Sequence, residues 1–512
     1  MSLPRRRVLQ LLTCVAALAA AAAGCWLLTA AGVPSQYVEA GRPPRLDPDP
    51  SGCTVPPNIA PLDFQVKEEG TQYCVRVTNS SGAKLVVASR SPGIVFPQQQ
   101  WQSLLGDSRG QCLSMDVYVR GSDRGWRHFD TASLFVAQEE IDPYVVYRRL
   151  KPLHNLFVNM GTYQRRLDGY DESPILLSPP GSGRCVNCHA FANHQPDRML
   201  LQLRGAQGNG MLLAHDGAVT RVDTWTEALP GPASYSSWHP NGLLVAFSVN
   251  KPALLHHAVG DCRDVFDYGS ALGVYDLRRK RASTAPQIAD PKYLETFPNW
   301  SPDGKYLYFC RTLSSWPADY RKKEIVPPGY DQMRYDLCRI AYDDDRAAWG
   351  EVETLLAARD TGLSMSEPRV SPDGRWLLFC THPYGSFPVY QSGSDLYMMD
   401  LKTRRHWPLE INSDRSDSWH CWSSNSRWIV FASKRRDGLF GRLYFSYVEP
   451  NGAARKPFLL PQQDPAFYDS FLENFNAPEL IRSAVPFDQK AFLDAIGSAG
   501  VQTVDSPEYG GE

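Results

Sequence analysis

The sequence predicts an all-β protein, a β-propeller of six blades preceded by a small β-sandwich-like module and an N-terminal membrane helix. Three observations lead there. Forty prolines and 38 glycines in 512 residues, with many aromatics, suit strands joined by turns better than helices. Four segments in the C-terminal two-thirds repeat one pattern, a polar turn feeding a short apolar strand. They begin at His239-Pro-Asn-Gly, Ser301-Pro-Asp-Gly, Ser371-Pro-Asp-Gly and Ser423-Ser-Asn-Ser, and Trp238, Trp300 and Trp422 stand just before three of them. An uncharged, mostly apolar run over 8–33 follows Arg5-Arg6-Arg7 and is closed by Pro34.

That run is long enough to cross a bilayer as a helix. Arginines before it favour retention of its N-terminus in the cytoplasm, so residues after Pro34 are expected outside. Length favours an uncleaved signal anchor over 1–34. A cleaved signal peptide and a lipoprotein processed before Cys25 are the alternatives. Residues 35–52, rich in Pro and Asp, read as a linker. Residues 53–140 carry candidate strands at 63–66, 72–77, 84–88 and 112–119, which gives the β-sandwich-like module. The propeller is expected over 141–480, with 141–178 as a further blade. Its repeat spacing of roughly 50 to 70 residues leaves room for inserted loops. Four-stranded sheets repeated around an axis protect their edges by closure. Residues 481–512 form a tail, with a short helix expected at 488–496.

Within the array lies Cys185-Val-Asn-Cys188-His189, the C-x-x-C-H spacing of covalent haem c attachment. Two thiols add across the porphyrin vinyl groups, and the adjacent imidazole of His189 binds the iron. A thiol–disulfide pair, two zinc ligands and a chance match are the other readings. Aligning Pro196-Asp197-Arg198 with Pro302-Asp303-Gly304 places 185–194 on the segment that leads into a blade. Met199, ten residues beyond His189, is the candidate second axial metal ligand, because a thioether is soft enough to bind iron. Its competing role is packing in the apolar strand that it begins. His194 is too close to His189 to reach the opposite face of a haem. Met211, His215, a His from another blade or from the N-terminal module, and an open coordination position complete the alternatives.

Net charge is −2, so no global basic field draws nucleic acid. Arg278-Arg279-Lys280-Arg281 reads as a solvated hairpin turn. Gly106-Asp-Ser-Arg-Gly110 matches G-x-S-x-G, but a strand follows it rather than a helix, so it is a polar turn. Asp343-Asp-Asp345 lacks spaced calcium ligands. His239 and His420 lie near repeat turns, where hydrogen-bonding roles are expected. His256-His257 is too local to define a metal site. No acid–base pair or nucleophile stands out. Export permits disulfides, but cysteine spacing fixes no pairing.

The Ser-Pro-Asp-Gly blades resemble TolB-like propeller repeats. The wider chain is similar to exported bacterial TolB-like proteins with a single C-x-x-C-H motif. The likeness runs through Pro56-Pro-Asn-Ile-Ala-Pro-Leu-Asp-Phe64, Ile141-Asp-Pro-Tyr-Val-Val-Tyr-Arg148, Tyr163-Gln-Arg-Arg-Leu-Asp-Gly-Tyr-Asp171 and the block around Cys185. The resemblance implies an extracytoplasmic propeller with covalent haem c. It implies no substrate. Members often carry His where this chain has Gln202, so that ligand is not available here. The expected location is the bacterial cell envelope, on the periplasmic side and anchored to the inner membrane. The expected role is electron transfer or redox sensing with a redox partner or another envelope protein. The alternative is a TolB-like protein- or glycan-binding module in which haem is structural.

Overall fold

The repeat turns close on themselves through one set of hydrogen bonds. In Ser301-Pro302-Asp303-Gly304 the serine hydroxyl donates to Asp303 Oδ1 (2.6 Å) and accepts from the Tyr306 amide (2.9 Å). Ser371 repeats this with Asp373 and the Trp376 amide, at the same two distances. Ser423 repeats it again with Asn425 and the Trp428 amide. Serine, aspartate and asparagine recur because each can mimic a backbone partner in a tight turn. Gly304 and Gly374 both sit at φ 72°, the left-handed conformation this turn requires.

The structure is a computed structural model that describes residues 32–151, 160–178, 185–205, 209–256, 263–314 and 329–498. Each turn joins the first two strands of a four-stranded antiparallel sheet. Five such sheets follow in chain order, led by β1 (Cys185–Phe191), β2 (Ala233–Trp238), β3 (Tyr293–Trp300), β4 (Ser364–Val370) and β5 (Asp417–Trp422). A sixth is built from both ends of the array: Tyr144–Leu150, Gly161–Arg166 and Glu172–Leu177 pair in order, and β6 (Asn474–Ile481) completes the edge. β6 runs antiparallel to Tyr144–Leu150, from Tyr144 opposite Ile481 to Leu150 opposite Asn474. The result is a ring of six blades, a β-propeller, as the repeats predict.

The blades pack face to face, which explains their sequence. Val146, Ile175 and Ile481 of the first blade meet Val186, Leu201 and Leu212 of the second. Val245 and Phe247 of the third blade meet Leu200 and Leu213 of the second. Second strands are therefore buried on both faces. Trp376–His382 and Trp428–Ser433 are buried throughout, and they read as continuous apolar runs instead of alternating ones. The helix expected near 488–496 is present as Gln489–Gly497. Asp488 caps it by accepting from the Ala491 amide, and Phe492, Ala495 and Ile496 join the cluster shared by the first two blades.

A separate unit comprises the described residues up to Glu140 together with Pro461–Phe471. It holds a seven-stranded sheet and a three-stranded sheet. The four expected strands are there as Phe64–Val66, Gln72–Thr78, Lys84–Ser89 and Cys112–Arg120. Three features differ from the sequence reading. Residues 35–52 are part of this unit, supplying Val38–Glu39 and Leu46–Asp47, with Arg42 and Arg45 both paired to the buried Glu68. The segment 461–471 also belongs here, so the propeller is not continuous over 141–480. An unforeseen helix, Gln98–Gly106, buries Trp101, Leu104 and Leu105. The G-x-S-x-G match sits at its C-terminal end, where Ser108 donates to the Leu104 carbonyl and is buried. The N-terminal apolar run, expected as a membrane helix, lies almost wholly within residues 1–31, outside the described residues. Among the described residues no helix is long and apolar enough to cross a membrane.

Closure rests on β6. Phe475 is 1% exposed and meets the Tyr147 ring edge-on at 5.0 Å. Phe475→Ala should cost about 3–5 kcal/mol in denaturant unfolding. The exposed Leu472→Ala just outside the strand should stay within about 0.5 kcal/mol. Equal effects would show that β6 does not carry the closure.

Candidate functional site

The leading strands β1 to β6 are the innermost strands of their blades, and all six lose register with their neighbours at one level. At that level Cys188, Phe297, Glu367, Trp419 and Ala477 take positive φ between 45° and 55°. A bulge of this kind bends the strand and re-aims a side chain. The next residue is Pro298, Pro368 or Pro478 in three strands, and His189 or His420 in two. Proline suits a bulge because its missing N–H has no ladder partner to lose. The strained φ is therefore a property of the ring as a whole, not a mark peculiar to the cysteine motif.

Neighbouring inner strands are stitched by hydrogen bonds between side chains and backbone. Trp238 Nε1 donates to the Ala190 carbonyl (3.3 Å), and Trp422 Nε1 to the Arg369 carbonyl (3.1 Å). Ser237 Oγ accepts from the Trp300 amide, and Asn299 Oδ1 from the Val370 amide. This accounts for Trp238 and Trp422, whereas the Trp300 indole nitrogen has no such partner among the described residues.

All six inner strands line a small cavity of about 50 Å³ on the axis. Cys188 and His189 from β1 reach it, as do Glu367 from β4 and His420 from β5. His189 is 6% exposed; neither ring nitrogen makes a well-formed hydrogen bond, although the Val146 backbone carbonyl lies within reach of the ring. Burial pulls its pKa down to about 4, aided by Arg148 and Arg369 and opposed by Glu479, so the ring is neutral at pH 7. Burial likewise pushes Glu367 up to about 7 and pulls His420 down to about 3. Across the axis Arg369 pairs with Glu479 at 2.7 Å, and Glu479 also accepts from the Cys421 thiol at 3.1 Å.

The residues singled out by sequence fall in three places. Cys188 and His189 share the axial cavity. Cys185 opens β1, 3% exposed, with its sulfur 3.7 Å from Met160 Sδ. Met199 lies on the same face of the blade as His189 but opposite Phe191, fully buried in the cluster between the first two blades. The structure brings Met160, not Met199, against a cysteine of the motif. Gln202 donates to Ser236 Oγ at 2.7 Å. His194 donates to the Leu480 carbonyl, and His239 Nε2 to the Gly304 carbonyl, so both serve hydrogen bonding. Arg278 pairs with Asp276 and Asp344, which settles the basic run and the Asp343-Asp-Asp345 segment as turns. His257 lies outside the described residues.

Sequence reading missed Glu367, Arg369, Cys380 and Glu479. One signal was present. Two residues before Trp238, Trp300 and Trp422 stand Ser236, Pro298 and His420, and the same offset from Phe191, Val370 and Leu480 gives His189, Pro368 and Pro478. Carrying the repeat alignment two residues upstream would have placed His189 and His420 on one ring.

No family model matches the chain. An uncharacterized protein of Agrobacterium fabrum is 25% identical over 187 residues, covering 32% of this chain and 59% of that protein. The chain therefore spans less than two thirds of that relative. Among solved structures, prolyl oligopeptidase B from Galerina marginata is 10% identical with a TM-score of 0.34, covering 69% of this chain and 42% of that one. The Dos1 propeller is 12% identical with a TM-score of 0.35, covering 55% and 63%. The Cps50 (Swd1) β-propeller domain of Myceliophteria thermophila is 11% identical with a TM-score of 0.29, covering 54% and 70%. At such scores the fold rests on the strand pairing described above.

The Arg369–Glu479 pair should be stabilising only as a pair. Arg369→Leu leaves the buried Glu479 carboxylate short of a charged donor and should cost roughly 2–3 kcal/mol. Adding Glu479→Gln should recover most of that loss in urea unfolding, because no charge remains to be paired. A double variant as unstable as the sum of the singles would show that the two do not act together.

Proposed function

We propose that the chain is an extracytoplasmic mono-haem c-type protein on a TolB-like propeller, serving electron transfer or redox sensing. Cys185 and Cys188 would hold the haem covalently, and His189 would be an axial ligand. The observation that carries this reading is the His189 ring: buried, neutral and held by no well-formed hydrogen bond, with only the Val146 backbone within reach, beside the cysteines of a C-x-x-C-H motif. A buried imidazole normally satisfies both nitrogens, so this ring fits an absent metal. The donor chemistry fits haem. The cavity beside His189, about 50 Å³, has room for water and not for a macrocycle, so seating the haem there would require the surrounding side chains to move apart.

When bound, the haem supplies a one-electron Fe(III)/Fe(II) couple. The chain's own contribution is to keep His189 unprotonated by burial. Glu479 favours positive charge at that ring while Arg148 and Arg369 oppose it, so the charges around the ring partly cancel. For the second axial position two methionines compete. Met199 carries the sequence argument. Met160 carries proximity, through its contact with Cys185. The inner-membrane anchor over 1–34 and the periplasmic location belong to the same proposal and follow from the leader, as does an envelope or redox protein as partner.

The alternative, a TolB-like protein- or glycan-binding module, draws on a second cavity of about 360 Å³ at the turn end of the axis. Trp238, Trp300 and Trp422 line it with His194, Arg369 and Arg482, a mixture of aromatic and charged groups suited to a polar ligand.

Expression with c-type maturation machinery should give haem peroxidase staining at the chain's own mass on a denaturing gel. Cys185→Ala or Cys188→Ala should weaken it strongly. Full staining of the double variant would remove the haem assignment. In the oxidised protein a near-infrared sulfur-to-iron band lost in Met160→Ala, and kept in Met199→Ala, would assign the thioether to Met160; the reverse pattern would assign it to Met199.

A further inference from the structure

Beside the axial cavity lies a second group of donors, Glu367 on β4, Cys380 on the neighbouring strand of the same blade, and His420 on β5. One donor atom from each lies within 4.8 Å of the others, and all three residues are buried. Cys380 Sγ is 3.4 Å from Glu367 Oε2 and 3.7 Å from His420 Nδ1. In a tetrahedral zinc site, with Zn–S of about 2.3 Å and Zn–N or Zn–O of about 2.0–2.1 Å, sulfur stands about 3.5 Å from each of the other ligands. Both observed separations lie close to that edge length.

The surroundings orient the ligands. His420 Nε2 lies 3.1 Å from the Leu378 carbonyl, which turns Nδ1 toward the thiol, with the Glu367 backbone also within reach of the ring. A metal-binding imidazole is commonly oriented in this way through its second nitrogen. Glu367 Oε2 accepts from the Trp419 amide at 2.7 Å, while Oε1 is buried with no partner among the described residues. A carboxylate oxygen left unsatisfied inside a protein is costly, and a cation would satisfy it.

We propose that Glu367, Cys380 and His420 bind a zinc ion, with a fourth position open to the axial cavity. Thiolate, imidazole and carboxylate together suit zinc rather than magnesium or calcium, which take oxygen ligands. Three protein ligands with an open position are the pattern of zinc sites that bind an exchangeable ligand. Glu367 and His420 line the cavity, and about 50 Å³ is room for water. On binding, the thiol proton of Cys380 leaves to solvent and the sulfur becomes the ligand. This site is distinct from Cys185, Cys188 and His189, and it does not rest on the haem reading.

The test uses the full chain loaded with zinc chloride, desalted, and measured by elemental analysis and zinc-edge X-ray absorption. The expected result is about one zinc per chain with a single sulfur at about 2.3 Å and nitrogen or oxygen neighbours at about 2.0 Å. Cys380→Ser and His420→Gln should each lower zinc affinity at least about tenfold. Cys185→Ala/Cys188→Ala should leave it unchanged. Zinc that survives both ligand variants, or that is lost with the Cys185/Cys188 pair, would overturn the assignment. So would a wild-type chain that takes up no zinc. Should the ligand variants fold poorly, the wild type decides: stripping with a chelator should lower its melting temperature and zinc chloride should restore it, whereas no change in either direction would overturn the site. Haem staining is a separate readout, so failure of either site is told apart from failure of the other.

Discussion

The pairing of β6 with Tyr144–Leu150 is the constraint on which the rest of the propeller depends. It joins strands more than 320 positions apart in sequence, and it turns a row of blades into a ring. A ring has no exposed first or last blade, so the unpaired sheet edges that invite aggregation are removed from its ends. The joint is well furnished. Phe475 packs on Tyr147, Arg149 pairs with Glu473, and Ile481 and the helix Gln489–Gly497 fill the cluster between the first two blades.

Closure also sets the chemistry of the axis. Six strands converge there, and their bulges turn one residue of each toward the centre. Apolar side chains from neighbouring blades already occupy the blade interfaces. The axial cavity combines apolar groups such as Phe297, Pro298 and Pro478 with groups that carry polar ends: His189, Glu367, Arg369, His420 and Glu479. These groups are removed from water, so their protonation follows burial before it follows charge. Most answer that cost with a partner, as Arg369 does with Glu479 and His420 with the Leu378 carbonyl. Glu367 leaves one oxygen without a partner among the described residues.

The turns show how local and global demands agree. Ser301, Ser371 and Ser423 each satisfy the same amide and carboxylate or amide-oxygen partners, so the turn is encoded within six residues. The turns also touch the next blade: Asp373 donates through its amide to Ser426 Oγ, and His239 donates to the Gly304 carbonyl. Local geometry therefore hands each blade its neighbour.

The sequence by itself determined the strands, the repeat and the place of Cys185-Val-Asn-Cys188-His189 at the entry of a blade. Those depend on short-range rules: turn residues that bond within a few positions, and apolar runs buried on both faces. It also marked Cys185, Cys188 and His189, because their spacing is contiguous. It misjudged residues 35–52 and 461–471, whose membership of the N-terminal unit depends on long-range pairing such as Arg42 and Arg45 with Glu68. It left Met160, Glu367, Cys380 and Glu479 unmarked, and it gave His420 only a hydrogen-bonding role. Those residues are tens to hundreds of positions apart, and no spacing rule links them. Only the tertiary structure decided that they meet, because six strands must share one narrow axis, and that crowding chooses which side chains are buried together.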